Sequence, residues 1–158
     1  MKKTIILRLT AAIAAALISV SCLTGCGKKK RVTSQTDQTT FGIDVARYQG
    51  TIDWKKVAQS GIDFAIIRVG YRGKTDGIIK EDPNGRYNLQ EASKAGIKIG
   101  AYFFSTAVSE AEAEEEAEWM GRMLAQYPIT YPVVYDCEGF QETDSRQYEM
   151  SKQERTDA

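Results

Sequence analysis

Histidine is absent from all 158 residues. That gap removes Ser-His-Asp and Cys-His nucleophile systems. It also removes His-ligated zinc sites such as H-E-x-x-H. Acid–base work then falls to Asp, Glu, Lys, Tyr or Cys. Cysteine is scarce: Cys22, Cys26 and Cys137 do not make a disulfide framework. No G-x-G-x-x-G or P-loop follows the first apolar strand, so nucleotide binding has no support. Charge is balanced at 21 basic and 21 acidic residues, but unevenly placed. Seven basic residues precede Val32, where there is no acid. The remainder sets 14 basic against 21 acidic residues, a net of minus seven. Such an acidic body argues against nucleic acid as a partner.

The length suits one domain with a real core behind a short leader. Residues 1–25 read as an export signal. Lys2, Lys3 and Arg8 open it, and Leu9 to Leu23 is an apolar run with small residues. At roughly fifteen residues the run is short for a membrane-spanning helix. It ends Leu23-Thr-Gly-Cys26, which resembles the lipobox of bacterial lipoproteins. The resemblance implies cleavage before Cys26 and lipidation of that cysteine; a plain cleaved signal is the alternative. Residues 26–40 then form a tether. Lys28-Lys-Lys-Arg31 suits either anionic head groups or plain solvent, and the Thr/Ser/Gln run after it has almost nothing to bury.

From Phe41 onward strands and helices alternate. Phe41–Val45 is a short strand carrying Asp44. Asp53 caps a helix through Trp54, Val57 and Ala58, stopped by Gly61. Ile62–Val69 is an apolar, β-branched strand. A polar loop follows from Tyr71 to Gly85, then a helix from Tyr87 to Ala95 and a strand from Ile97 to Ser105. Ser109, with Glu112 three residues on, reads as a capping box opening a third helix. Six of the nine residues from Glu110 to Glu118 are Glu; a solvated face accounts for them. Ala113, Ala117, Met120 and Leu124 make the expected buried stripe. Tyr148 and Met150 suggest the apolar side of a last helix. The segments Ser60–Ile67 and Ala95–Tyr102 align at an offset of 35 residues. Helix, terminal Gly and apolar strand make the rhythm of a parallel sheet.

The chain's chemistry is concentrated in Tyr131-Pro-Val-Val-Tyr-Asp-Cys-Glu-Gly139. Side chains alternate along a strand, so Asp136 and Glu138 share a side and Cys137 takes the other. Cys137 is expected as a small core residue. The two acidic Cα atoms would lie about 6.6 Å apart, and carboxylates that close resist joint ionisation. A proton donor beside an ionised carboxylate is the equipment of glycoside hydrolysis. An acidic turn closing an edge strand is the other reading of this stretch. Acids at the C-terminal ends of parallel strands fit the active face of a (β/α) barrel.

Four motifs, taken together, resemble a known family. Phe41-Gly-Ile-Asp-Val-Ala-Arg-Tyr-Gln-Gly50 with Ile52-Asp-Trp54 is similar to the opening of the Chalaropsis-type lysozymes, glycoside hydrolase family 25. Phe64–Tyr71, Gly100–Ser105 and Pro132–Glu138 resemble its later strands, in the right order. The resemblance implies a glycosidase-type (β/α) barrel, here truncated to about four βα units within residues 41–158. It implies cleavage of the β-1,4 bond between N-acetylmuramic acid and N-acetylglucosamine in peptidoglycan glycan strands. Glu138 would be the general acid. Asp136 would stabilise positive charge or help the substrate's acetamido group attack, and Asp44 would complete the acidic floor. Tyr102 and Phe104 share a parity that suits either sugar stacking or core packing. Arg68, in an apolar strand, needs a carboxylate partner if buried, and a site acid is a candidate; a surface-facing charge is the alternative. No cofactor or metal is implied. With the lipid anchor, the expected place is the outer face of a bacterial cell membrane. An inactive, membrane-tethered glycan-binding fragment is the alternative function.

Overall fold

A computed structural model describes residues 39–158. The leader, most of the tether and Cys26 lie outside the described residues. Strand β1 is Gly42–Val45, followed by a 3-10 turn at Arg47–Gln49 and helix α1 at Trp54–Gln59. Asp53 caps α1 as expected, its carboxylate accepting the Lys56 N–H at 3.2 Å. Strand β2, Phe64–Arg72, runs three residues past the expected end. The polar loop after it contains a short strand, β3 (Ile79–Glu81), which pairs antiparallel with the end of β2. Helix α2 is Gly85–Lys94, β4 is Lys98–Ser105, α3 is Glu110–Leu124, β5 is Val133–Cys137 and α4 is Lys152–Asp157.

The four long strands lie in the order β1-β2-β4-β5, each pair parallel. This is the mixed α/β arrangement with a parallel sheet that the βα alternation predicts. Among the described residues β1 and β5 each have a single strand neighbour, so the sheet is open at both edges. Among the same residues no helix is long and apolar enough to cross a membrane.

One face of the sheet carries the core. Ala65, Ile67, Ile99, Ala101 and Phe103 are fully buried there with Leu89 and Ala92 of α2 and Met120, Met123 and Leu124 of α3. Phe103 meets Trp119 edge to face at 5.7 Å. Trp119 can come this close because β2 carries Gly70: a Cβ there would lie 2.7 Å from the indole.

Several expectations need correction. The acidic run of α3 is not wholly solvated. Glu116 is fully buried, its Oε1 2.7 Å from Nε of the buried Arg72, because a charge inside the fold persists when paired. Ser109 accepts the Glu112 N–H as a cap should, but Glu112 reaches back to the Val108 N–H and not to Ser109, so the capping box is only half formed. Ala117 is exposed, and Met123 takes its place in the buried stripe. Cys137 does face away from Asp136, yet it is exposed, because no element covers that side of the edge strand β5. Tyr148 falls in a turn and Met150 in irregular chain, both before α4, and Tyr148 is 42% exposed.

Candidate active site

In a parallel sheet, residues paired across neighbouring strands point to the same side. Arg68 pairs with Tyr102, and Phe104 pairs with Asp136. Asp44 pairs with Ile66, two residues before Arg68 on the same strand. All of these occupy the face opposite the core. The register slips by one between Arg68 and Gly70, a bulge that leaves Val69 unpaired and returns Tyr71 to the face of Phe104. A cleft of about 400 Å³ opens there, lined by Arg68, Tyr71, Tyr102, Phe104, Asp136 and Glu138 among others. A larger opening, about 590 Å³, lies beside α1 and α2 and carries none of the strand-end acids.

Asp136, on β5, and Glu138, one residue past its end, line this one cleft. Asp136 is half-buried, and its carboxyl is pushed above the usual carboxylate range. Burial is the largest cause, followed by the charges of Glu138 and Asp44, against which Arg68 pulls back. So Asp44, though not itself on the cleft wall, is close enough for its charge to be felt at Asp136. Burial, followed by the Asp44 charge, also pushes the Tyr102 hydroxyl up. Among the described residues no cluster of three or more His, Cys, Asp or Glu side chains is arranged to hold a metal ion.

Arg68 is the residue whose partner differs from expectation. It is 7% exposed, so a carboxylate is indeed required, but the carboxylate is Asp82 and not a site acid. Arg68 Nε donates to Asp82 Oδ2 at 2.8 Å. Nη2 lies 2.7 Å from the same oxygen, without the alignment of a hydrogen bond. Asp82 is fully buried and does more than neutralise. Its Oδ2 also accepts the Arg47 N–H and its Oδ1 the Asn84 N–H. One side chain thus ties the turn after β1, the wall of the cleft and the start of α2. Asp82 went unnoticed in the sequence because Glu81-Asp-Pro-Asn-Gly85 reads as a turn. It is a turn, and Asp82 occupies its first position, where the carboxylate caps the backbone two residues on. The signal that could have found it was the demand of Arg68 for a carboxylate.

The end of the cleft is closed by the segment after β5. Lys74 bonds Glu142 at 2.8 Å and Asp144 at 3.0 Å, and the Arg146 N–H bonds the Lys74 carbonyl. Arg146 makes a two-pronged contact with Glu112 of α3, at 2.8 and 2.9 Å.

The family model described as Glycosyl hydrolases family 25 matches residues 43–157, from within β1 to the last turn of α4. The chain belongs to glycosyl hydrolase family 25. Among relatives and solved structures, Lysozyme M1 of Streptomyces globisporus is 35% identical over 82 residues, covering 51% of this chain and 26% of that protein. The chain thus spans about a quarter of the length of that curated relative. A bacterial lysozyme of Streptomyces coelicolor superposes with a TM-score of 0.55 at 27% identity, covering 77% of this chain and 55% of that one. The modular autolysin LytC of Streptococcus pneumoniae, solved in complex with a synthetic peptidoglycan ligand, gives a TM-score of 0.56 at 31% identity over 66% of this chain and 24% of that one.

Proposed function

We propose that this chain carries the acidic face of a peptidoglycan muramidase, which hydrolyses the β-1,4 bond between N-acetylmuramic acid and N-acetylglucosamine. The observation that carries the reading is one cleft holding Asp136, Glu138, Tyr102 and Phe104, with Asp44 close behind, in a member of family 25. Glu138 protonates the leaving oxygen. Asp136 stabilises the positive charge that develops on the ring, or steadies the acetamido group that attacks it. Tyr102 and Phe104 offer flat apolar surface to sugar rings. Arg68 holds the cleft wall through Asp82.

Residues 41–158 supply about four βα units of a (β/α) barrel, whose later strands would add at the open edge of β5. The sequential parallel strand order and the 55% share of the S. coelicolor lysozyme support this. The leader and Cys26 place the domain on a lipid anchor at the outer face of the cell membrane, behind the tether of residues 26–40. Their support is the Leu-Thr-Gly-Cys pattern. Partition of the expressed protein into the detergent phase, retained in Cys26→Ser, would remove the anchor.

The main test is reducing-sugar release from peptidoglycan, with a second polypeptide supplying the remaining strands of the domain. Glu138→Gln should lower release about 10²–10⁴-fold, the usual contribution of a positioned general acid. Unchanged release removes the role given to Glu138. A glycan-binding module without hydrolysis is the second reading, for which the same cleft with Tyr102 and Phe104 would serve. Retention on insoluble peptidoglycan with no sugar release by the completed domain would select it.

A further inference from the structure

Four cations border the cleft: Arg47, Arg68 and Lys74 beside the acids, and Arg72, whose guanidinium runs to Glu116 on the helix side. Three of them are answered by carboxylates. Arg68 meets Asp82, Arg72 meets Glu115 and Glu116, and Lys74 meets Glu142 and Asp144. Arg47 has no carboxylate partner among the described residues. Its guanidinium lies over the ring of Tyr48 at 5.0 Å and that of Tyr71 at 5.5 Å. It donates to the Tyr71 hydroxyl at 3.2 Å and to the Tyr48 hydroxyl at 3.4 Å. Arg68 shares both rings, at 5.0 and 5.3 Å. Two guanidiniums thus crowd two tyrosines, and a single carboxylate serves the pair. Arg68 Nη2 is buried and has no hydrogen-bond acceptor. The cluster has positive charge to spare, held in rigid, planar groups whose fork geometry matches a carboxylate.

We propose that Arg47, backed by Arg68 and framed by Tyr48 and Tyr71, is a subsite for a carboxylate carried on a sugar substituent. It makes the cleft prefer acidic muramyl units to neutral N-acetylhexosamines. The inference rests on the muramidase reading and adds a specificity residue to it. The arrangement divides the cleft by charge. Asp136 and Glu138 face the glycosidic linkage, and the arginine–tyrosine cluster takes the acidic arm of the same or the adjoining sugar. Arg68 belongs to both ends: its guanidinium lies 5.0 Å from the centre of the Tyr48 ring, and it lines the same cleft as Asp136.

The test is an NMR titration of the protein with three probes. N-acetylglucosamine has no carboxylate, N-acetylmuramic acid has a free lactyl carboxylate, and N-acetylmuramyl-L-alanyl-D-isoglutamine carries its one carboxylate at the end of the peptide instead. At low salt an acidic probe should bind about tenfold more tightly than N-acetylglucosamine, a factor equivalent to about 1.4 kcal/mol. Whichever acidic probe gains more assigns the carboxylate to the lactyl group or to the stem peptide. Arg47→Gln should bring all three within about twofold of each other, while Arg47→Lys should keep part of the preference, as a point charge without the fork. Because Arg47 is exposed and bonds Asp82 through its backbone N–H alone, these variants leave the fold in place. Equal binding of all three probes by the unsubstituted protein overturns the subsite and spares the muramidase reading. Binding of none of them overturns both.

Discussion

Arg68 and Arg72 stand four residues apart on β2, and each is almost fully buried against a fully buried carboxylate. A regular strand would turn both to one face. The bulge between Arg68 and Gly70 separates them. Arg68 stays on the cleft side with Asp82, and Arg72 runs to Glu116 on the helix side. Their support differs in depth. Arg72 also bonds Glu115 at 2.7 Å and the carbonyls of Gly77 and Glu112. Arg68 has Asp82 and two aromatic faces. The helix-covered face is thus over-determined, while the cleft face depends on one carboxylate.

The widest separation between the faces should appear in activity. On the proposed muramidase reading, Glu138→Gln on the cleft face should lower sugar release by the completed domain about 10²–10⁴-fold and leave the fold unchanged, since its side chain makes none of the buried ion pairs. Stability then compares the two arginines directly. Asp82→Ala strands a buried guanidinium and two backbone N–H groups, and should cost about 3–5 kcal/mol in denaturant unfolding. Glu116→Gln should cost about 2 kcal/mol, because Arg72 keeps Glu115. Equal losses would show that the extra partners of Arg72 carry no weight.

The smallest effect concerns Asp136. Its carboxyl is raised in the folded state, so its protonated form is favoured there. The sign follows: stability is greatest below the unfolded-state value and is lost as pH rises through the raised folded-state value. Asp136→Asn should therefore melt slightly higher than the parent at neutral pH, with the gain vanishing in acid. Glu138→Gln should move the Asp136 titration back toward the ordinary Asp value in a carboxyl NMR experiment. An unmoved titration would show that the two acids do not interact.

Much of the framework could be read along the chain. Asp53 and Ser109 cap the helices they precede, and the glycines after α1 and α2 carry positive φ, at 89° for Gly61 and 83° for Gly96. Asp136 and Glu138 line one cleft, as the alternation along the strand suggests, although Glu138 lies one residue past the end of β5. Reading failed where the deciding partner lay far away. Glu116 looks like any other member of a solvated run until Arg72, 44 residues earlier, is brought against it. Cys137 looks like a core residue until its side of β5 proves uncovered. Asp82 looks like a turn residue, and is one, but it is also the counter-charge of Arg68.

The sequence by itself determined the alternation of strands and helices, their caps and the pairing of two acids, Asp136 and Glu138, at the end of β5. Those features depend on neighbours within a few residues, where backbone geometry leaves few options. Only the tertiary structure decided which charges are paired and which are free. One extra residue in β2 reverses the facing of everything after it, and burial selects counter-ions from elements that no local pattern connects. That is why Arg68 and Arg72 are neutralised and Arg47 is left open toward the cleft.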